Sequence, residues 1–210
     1  VDGSGRALTS NGGTRKSGAE VILSDGSSFF VPASVWATLA RAEGAVAEDA
    51  WISQIQGSSE ALQIRDRALG FLATREHSRV QLSRKLAKRG FDARVVDAVL
   101  DDLAAARLVD DARYARTWIE SRLRRHPEGR AALSAGLARA GVSREIADRC
   151  LSELLDENSA ILEDAVAAAA EKIQRSRVLD PSDLRRKLAA RGFAYGLIRK
   201  YLERRGDSDL

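Results

Sequence analysis

A mainly α fold is predicted: three tandem three-helix repeats in a curved helical array, preceded by a small N-terminal β-hairpin and helices. Three observations carry this. The segment Leu82-Ser83-Arg84-Lys85-Leu86-Ala87-Lys88-Arg89-Gly90-Phe91 returns as Leu184-Arg185-Arg186-Lys187-Leu188-Ala189-Ala190-Arg191-Gly192-Phe193, with eight of ten positions identical. A weaker copy, Leu133 to Val142, lies midway, so that Gly90, Gly141 and Gly192 are each 51 residues apart. The apolar positions that follow each glycine also repeat in phase: Val95, Ile146 and Leu197; Val96, Ala147 and Ile198; Leu100, Leu151 and Leu202. A fixed period with a fixed pattern marks a repeat architecture, in which each unit buries its apolar face against its neighbours.

Taken in order, residues 1–18 are rich in Gly, Ser, Thr and Asn and are expected to form a disordered tail. Residues 19–57 hold two β-prone runs flanking Asp25-Gly26, which reads as a hairpin. Two helices follow there, one at 33–43 with Val35, Trp36 and Leu39, the next at about 47–56 with Trp51, Ile52 and Ile55. Gly57-Ser58-Ser59 is expected to break that run and open the first repeat, 58–111; the second is 112–157 and the third 158–210.

Each repeat opens with a longer helix, at about 58–76, 112–125 and 158–177. The middle helix has leucines four apart, hence on one face, and ends at a glycine suited to the left-handed C′ position. Ser78 with Gln81 reads as a capping box; its counterparts are Gly129 and Asp180, the latter followed by Pro181 at the first helical position. Asp92 and Ser143 are placed to cap the third helix.

The 210 residues carry 34 basic and 30 acidic side chains, unevenly placed. Residues 1–60 hold four basic and seven acidic residues, whereas 75–94 hold seven basic against two acidic. Residues 95–112 carry one basic and five acidic, 113–144 eight and two, 145–171 one and eight. Alternation of this kind gives either basic and acidic stripes that meet a phosphate backbone and a charged protein together, or salt bridges within the molecule. No apolar run reaches the roughly 20 residues that span a bilayer, and no apolar segment of a signal peptide is seen, so a cytoplasmic protein without membrane contact is expected. The single cysteine, Cys150, falls at a buried helical phase and reads as core.

Catalytic constellations are missing. His77 and His126 lack metal-ligand partners at usable spacing and read as surface residues. There is no phosphate-binding glycine loop and no nucleophile elbow. Asp101-Asp102 lies along a helix, and Asp110-Asp111 precedes one, where aspartate caps well. No enzyme, cofactor or metal is therefore expected. A helix-turn-helix groove reader is disfavoured too, because the helix after the glycine carries Asp97, Asp101 and Asp102 in the first repeat and Glu145, Asp148 and Glu153 in the second. The basic side chains fall mostly on the preceding helix and in the loop Arg122-Leu123-Arg124-Arg125. The residues expected to contact a partner or DNA are Arg84, Lys85, Lys88, Arg124, Arg125, Arg185, Arg186 and Lys187.

The run Arg75 to Leu82, with Lys85-Leu86 and Arg89-Gly90-Phe91, resembles the RecX family of bacterial RecA regulators. So does Leu108-Val109-Asp110-Asp111-Ala112-Arg113-Tyr114-Ala115, similar to that family's L-x-D-D-x-R-[FY]-A signature. The resemblance extends over about 58–205. It implies three three-helix repeats and no catalytic activity. It also implies binding to the RecA–single-stranded DNA filament, with suppression of ATPase, strand exchange and coprotease functions by a monomer. The alternative is a general non-specific DNA-binding module without a recombinase partner. The middle repeat departs from its neighbours: Ala135, Gly136 and Ala140 stand where the outer copies are basic, and its charges move to Arg122, Arg124, Arg125 and Arg130.

Overall fold

The computed structural model describes residues 7–15, 18–42, 44–156, 159–175 and 179–206, with backbone only at 9–15 and 159. The chain divides into two compact units. One comprises Val1–Thr74 with Ser83–Ala106, the other Arg75–Leu82 with Arg107–Leu210.

The first unit opens with an antiparallel sheet in the order β1 (Leu8–Arg15), β2 (Gly18–Leu23), β3 (Ser28–Pro32). The β2–β3 hairpin turns at Asp25-Gly26 as expected. Gly26 has φ +84°, and the Asp25 carboxylate accepts the Ser27 N–H at 2.9 Å. The disorder expected for 1–18 gives way at β1, whose residues pair with β2 from Leu8↔Leu23 to Arg15↔Gly18. Polar, glycine-rich composition loses there to the ladder that an open strand edge offers. The remainder of the expected tail, residues 1–6 and 16–17, lies outside the described residues.

Alternate residues of β2, namely Ala19, Val21 and Leu23, are buried, and so is Val31 of β3. Leu8, Val21, Leu23 and Val31 pack with Trp51, Ile52 and Ile55 in one core. The Trp51 indole N–H donates to the Leu39 carbonyl at 2.8 Å, at the end of the short helix α1 (Ala33–Leu39).

The break expected at Gly57-Ser58-Ser59 is absent. Helix α2 runs unbroken from Asp49 to Thr74. The serine hydroxyls fold back onto their own helix, Ser53 to the Asp49 carbonyl and Ser58 to that of Gln54, both at 2.8 Å. One internal glycine costs a helix about 1 kcal/mol. Burying Trp51, Ile52, Ile55, Ser59, Ile64 and Ala68 along one helix outweighs that. Helix α3 (Arg79–Ala87) and helix α4 (Ala93–Ala105) complete the first three-helix segment.

In the second unit, α5 (Asp111–Arg125), α6 (Arg130–Arg139) and α7 (Arg144–Leu151) form the second segment, α7 running on into a π-helical turn, Ser152–Asp156. Helices α8 (Ser159–Gln174), α9 (Pro181–Ala190) and α10 (Tyr195–Arg204) form the third. The expected caps are made: Asp92, Ser143 and Asp180 each accept N–H groups at the start of α4, α7 and α9. Gly90, Gly141 and Gly192 all adopt the left-handed conformation, at φ +86°, +83° and +79°. The in-phase positions Val96, Ala147, Ile198, Leu100, Leu151 and Leu202 are all buried. Cys150 is fully buried, 3.7 Å from the Ala112 carbonyl, and burial pushes its thiol pKa up.

The period appears in tertiary contacts as well. The Ser78 hydroxyl donates to the Ala140 carbonyl at 2.6 Å, while 51 residues on the Gly129 N–H donates to the Arg191 carbonyl at 2.9 Å. The residue that opens one middle helix thus holds the carbonyl that closes the next. At the second junction the backbones meet directly, because any Cβ on Gly129 would collide with the Gly192 carbonyl.

Candidate functional site

The signature residues prove to be structural. The Arg113 guanidinium grips the Glu76 carboxylate through Nε at 2.7 Å and Nη2 at 3.3 Å, and donates to the carbonyls of Arg107 and Leu108, each at 3.0 Å. It thereby pins the turn in which Arg107, unusually for a non-glycine, has φ +56°. Asp110 caps α5 by accepting the Arg113 and Ala112 N–H groups, and these hold its carboxyl below the usual range. Asp111 accepts the Arg79 N–H at 2.8 Å.

His77, expected at the surface, is fully buried, with Nδ1 3.3 Å from Gln81 Oε1. Gln81 also donates to the Tyr114 hydroxyl at 2.8 Å, so its side chain serves this inner network rather than reaching back to the cap. Ser78 keeps its half of the cap, accepting the Gln81 N–H at 3.1 Å. His126 is exposed, as expected.

The basic residues sort by unit. In the first, Arg84 and Lys88 are exposed and Lys85 is half-buried. Lys85 Nζ stands 4.3 Å and Arg89 Cζ 5.4 Å from the centroid of the Phe71 ring, so both lay their cations on an aromatic face.

In the second unit the expected residues do not form one set. Arg186 is bound by Asp183 at 2.6 Å, and Arg185 is half-buried on another side of α9 from Lys187. Arg124 and Arg125 are exposed at the end of α5. Lys187 lines a depression of about 410 Å³ with Lys172, Ile173, Ala190 and Arg191. Lys172 Nζ donates to the Arg125 carbonyl at 2.7 Å, which ties the end of α5 to this place. The structure therefore sets the Arg125 carbonyl beside the depression through Lys172, and joins Lys187 there with Lys172 and Arg191, two residues not among the expected contacts. For Arg191 the signal lay in the sequence: Arg89 and Arg191 both precede the turn glycine. Lys172 carried none, since it is a lone lysine after an alanine run.

Elsewhere in this unit the alternating charge runs neutralise each other. Arg116 pairs with Glu153 at 2.8 Å, Arg130 with Asp156 at 2.8 Å, Arg122 with Glu128 at 2.5 Å, and Glu163 with both Lys200 and Arg204 at 2.5 and 2.6 Å. Those two cations hold the Glu163 carboxyl below its usual range, the Lys200 hydrogen bond first. Much of the stripe pattern read from the sequence is thus neutralised inside the molecule.

Among the described residues no group of three or more His, Cys, Asp or Glu could hold a metal ion, and no helix is long and apolar enough to cross a membrane.

Comparison with known proteins matches residues 65–103 to the RecX first three-helix domain and 110–151 to the RecX second three-helix domain. The regulatory protein RecX of Treponema pallidum (strain Nichols) is 38% identical over 135 residues, covering 64% of this chain and 80% of that protein. The regulatory protein RecX of Chlorobium limicola is 34% identical over 141 residues, covering 65% of this chain and 86% of that protein. Among solved structures, a crystal structure of regulatory protein RecX superposes with a TM-score of 0.75 at 17% identity, covering 94% of this chain and 99% of that one. The crystal structure of RecX from Lactobacillus salivarius gives 0.60 at 17% identity, covering 69% and 96%. At that identity the two structures establish the fold.

Proposed function

The chain belongs to the RecX family of regulatory proteins, and on that premise we propose that it is a non-enzymatic regulator. It binds the RecA–single-stranded DNA filament and holds down the filament's ATPase, strand-exchange and coprotease activities. The observation that carries this reading beyond the family name is the depression formed by Lys172, Lys187 and Arg191 beside Arg125. There cations gather without a carboxylate in the lining, in a unit that pairs most of its other charges. A surface of that kind meets a charged polymer, and the rest of the repeat surface is left to meet protein.

The test is RecA ATPase on single-stranded DNA with increasing amounts of this protein. Inhibition is expected well below one molecule per RecA, because a regulator of an assembled polymer acts on more subunits than it touches. ATPase that falls only as DNA is titrated away would instead support a general DNA-binding module, whose affinity for bare DNA drops steeply with salt.

A further inference from the structure

Three helices of the second unit end near one place. Helix α5 ends at Arg125, α8 at Gln174 and α9 at Ala190, and the last turns contribute Arg125, Lys172 and Lys187, with Arg191 just beyond. Cations at helix C-termini offset the partial negative charge of unpaired carbonyls, so the cluster has an ordinary structural use. Magnitudes show that this use does not exhaust it. Each helix end carries about −0.5 charge, roughly −1.5 for three, against the full positive charges of Lys172, Lys187 and Arg191 in the lining. A surplus of roughly 1.5 positive charges remains, and no acidic side chain lines the depression to take it up. Among the described residues the side chains of Lys187 and Arg191 have no carboxylate partner. A neighbouring depression of about 190 Å³ shares Arg191, and the one carboxylate in its lining, Glu128, is already held by Arg122.

The repeat register isolates this site from its counterparts. Positions 71, 85 and 89 of the first repeat correspond to 173, 187 and 191 of the third. In the first repeat Lys85 and Arg89 lie on the face of Phe71. In the third repeat the ring is replaced by Ile173, which has no π face to offer, so Lys187 and Arg191 keep their charge for an external anion. The middle repeat has Gly136 and Ala140 at the cationic positions.

We propose that the Lys172–Lys187–Arg191 depression binds the phosphodiester backbone of a nucleic acid without reading its sequence. The lining contains no aromatic ring on which a base could stack and no amide to read a base edge, only Ile173 and Ala190 between cations. The assignment deepens the regulatory reading and rests on it for the strand that carries phosphates to the site.

The experiment compares wild type, K187Q/R191Q and the charge-preserving K187R/R191K in fluorescence anisotropy with a labelled oligo(dT), across a range of salt. Neutralising two cations is expected to weaken binding about tenfold and to lower the slope of log affinity against log salt by roughly 1.4, two contacts at about 0.7 each on a single strand. The charge-preserving variant is expected to stay near wild type. Unchanged affinity and slope in a K187Q/R191Q protein of native circular dichroism would overturn the assignment. A lowered melting temperature without loss of affinity would also overturn it, since the cations would then serve the helix ends alone. RecA ATPase separates the two readings. If K187Q/R191Q binds oligo(dT) normally yet no longer inhibits RecA, the site docks on acidic protein and the phosphate assignment fails while the regulatory reading survives. If wild type leaves RecA ATPase untouched but its DNA affinity follows the predicted pattern, the regulatory reading fails and the site stands.

Discussion

Ser78 does two jobs with one oxygen: it accepts the Gln81 N–H and donates to the buried Ala140 carbonyl. Replacement by alanine removes a helix cap and orphans an acceptor, so S78A is expected to lose about 2 kcal/mol in denaturant unfolding. Asp110 makes a different kind of test. Its N–H donors depress its carboxyl in the folded state, so its stabilisation is fully present above the ordinary aspartate range and is lost as pH falls through the depressed value. D110N is expected to be less stable than wild type at neutral pH, with the gap closing as both proteins are taken into acid. His77 shows where residue-scale reading failed. A histidine beside a cap looks like a surface residue, but partners 4 and 37 residues away (Gln81 for His77, and Arg113 for the adjacent Glu76) enclose that turn. Nothing local in sequence announces them.

At the level of helices and strands, the caps, turn glycines and buried phases were legible because each is set by residues within one or two turns. Helix α2 and strand β1 were not. Gly57-Ser58-Ser59 is a fair stop signal taken locally, and the polar segment before β2 is a fair tail; in both, packing or strand pairing supplied from elsewhere prevails. A glycine inside a helix and one capping a helix can be told apart by substitution. A Cβ at Gly57 meets nothing within 4 Å, so G57A is expected to stabilise by roughly 0.5–1 kcal/mol. G129A is expected to destabilise by more than that, because its methyl would enter the Gly192 carbonyl; paired melting curves of the two variants check both. The basic surface was half legible. The repeat singles out Lys187, but only the fold shows that Lys172 and Arg191 join it in one depression while Arg186 is bound by Asp183.

Across the whole molecule, a net charge of +4 conceals local imbalances. Acidic runs answer basic ones through pairs such as Arg116–Glu153 and Arg130–Asp156, and what is left over gathers at few places. Exposed pairs of this sort contribute little stability each, typically below about 1 kcal/mol. Reversing Arg84, Lys88, Arg185 and Lys187 together is therefore expected to leave circular dichroism intact while weakening inhibition of RecA ATPase several-fold; undiminished inhibition by the folded variant would show that partner contact lies elsewhere. The hydrogen bond from Ser78 to Ala140, and its echo from Gly129 to Arg191, has a consequence for ancestry. The middle module carries both a plug at the start of its middle helix (Gly129) and a socket at its end (Ala140), in the same repeat register. A duplicated copy of 51 codons would arrive with its docking surface already cut to fit, so the tract could lengthen by gene duplication without inventing a new joint.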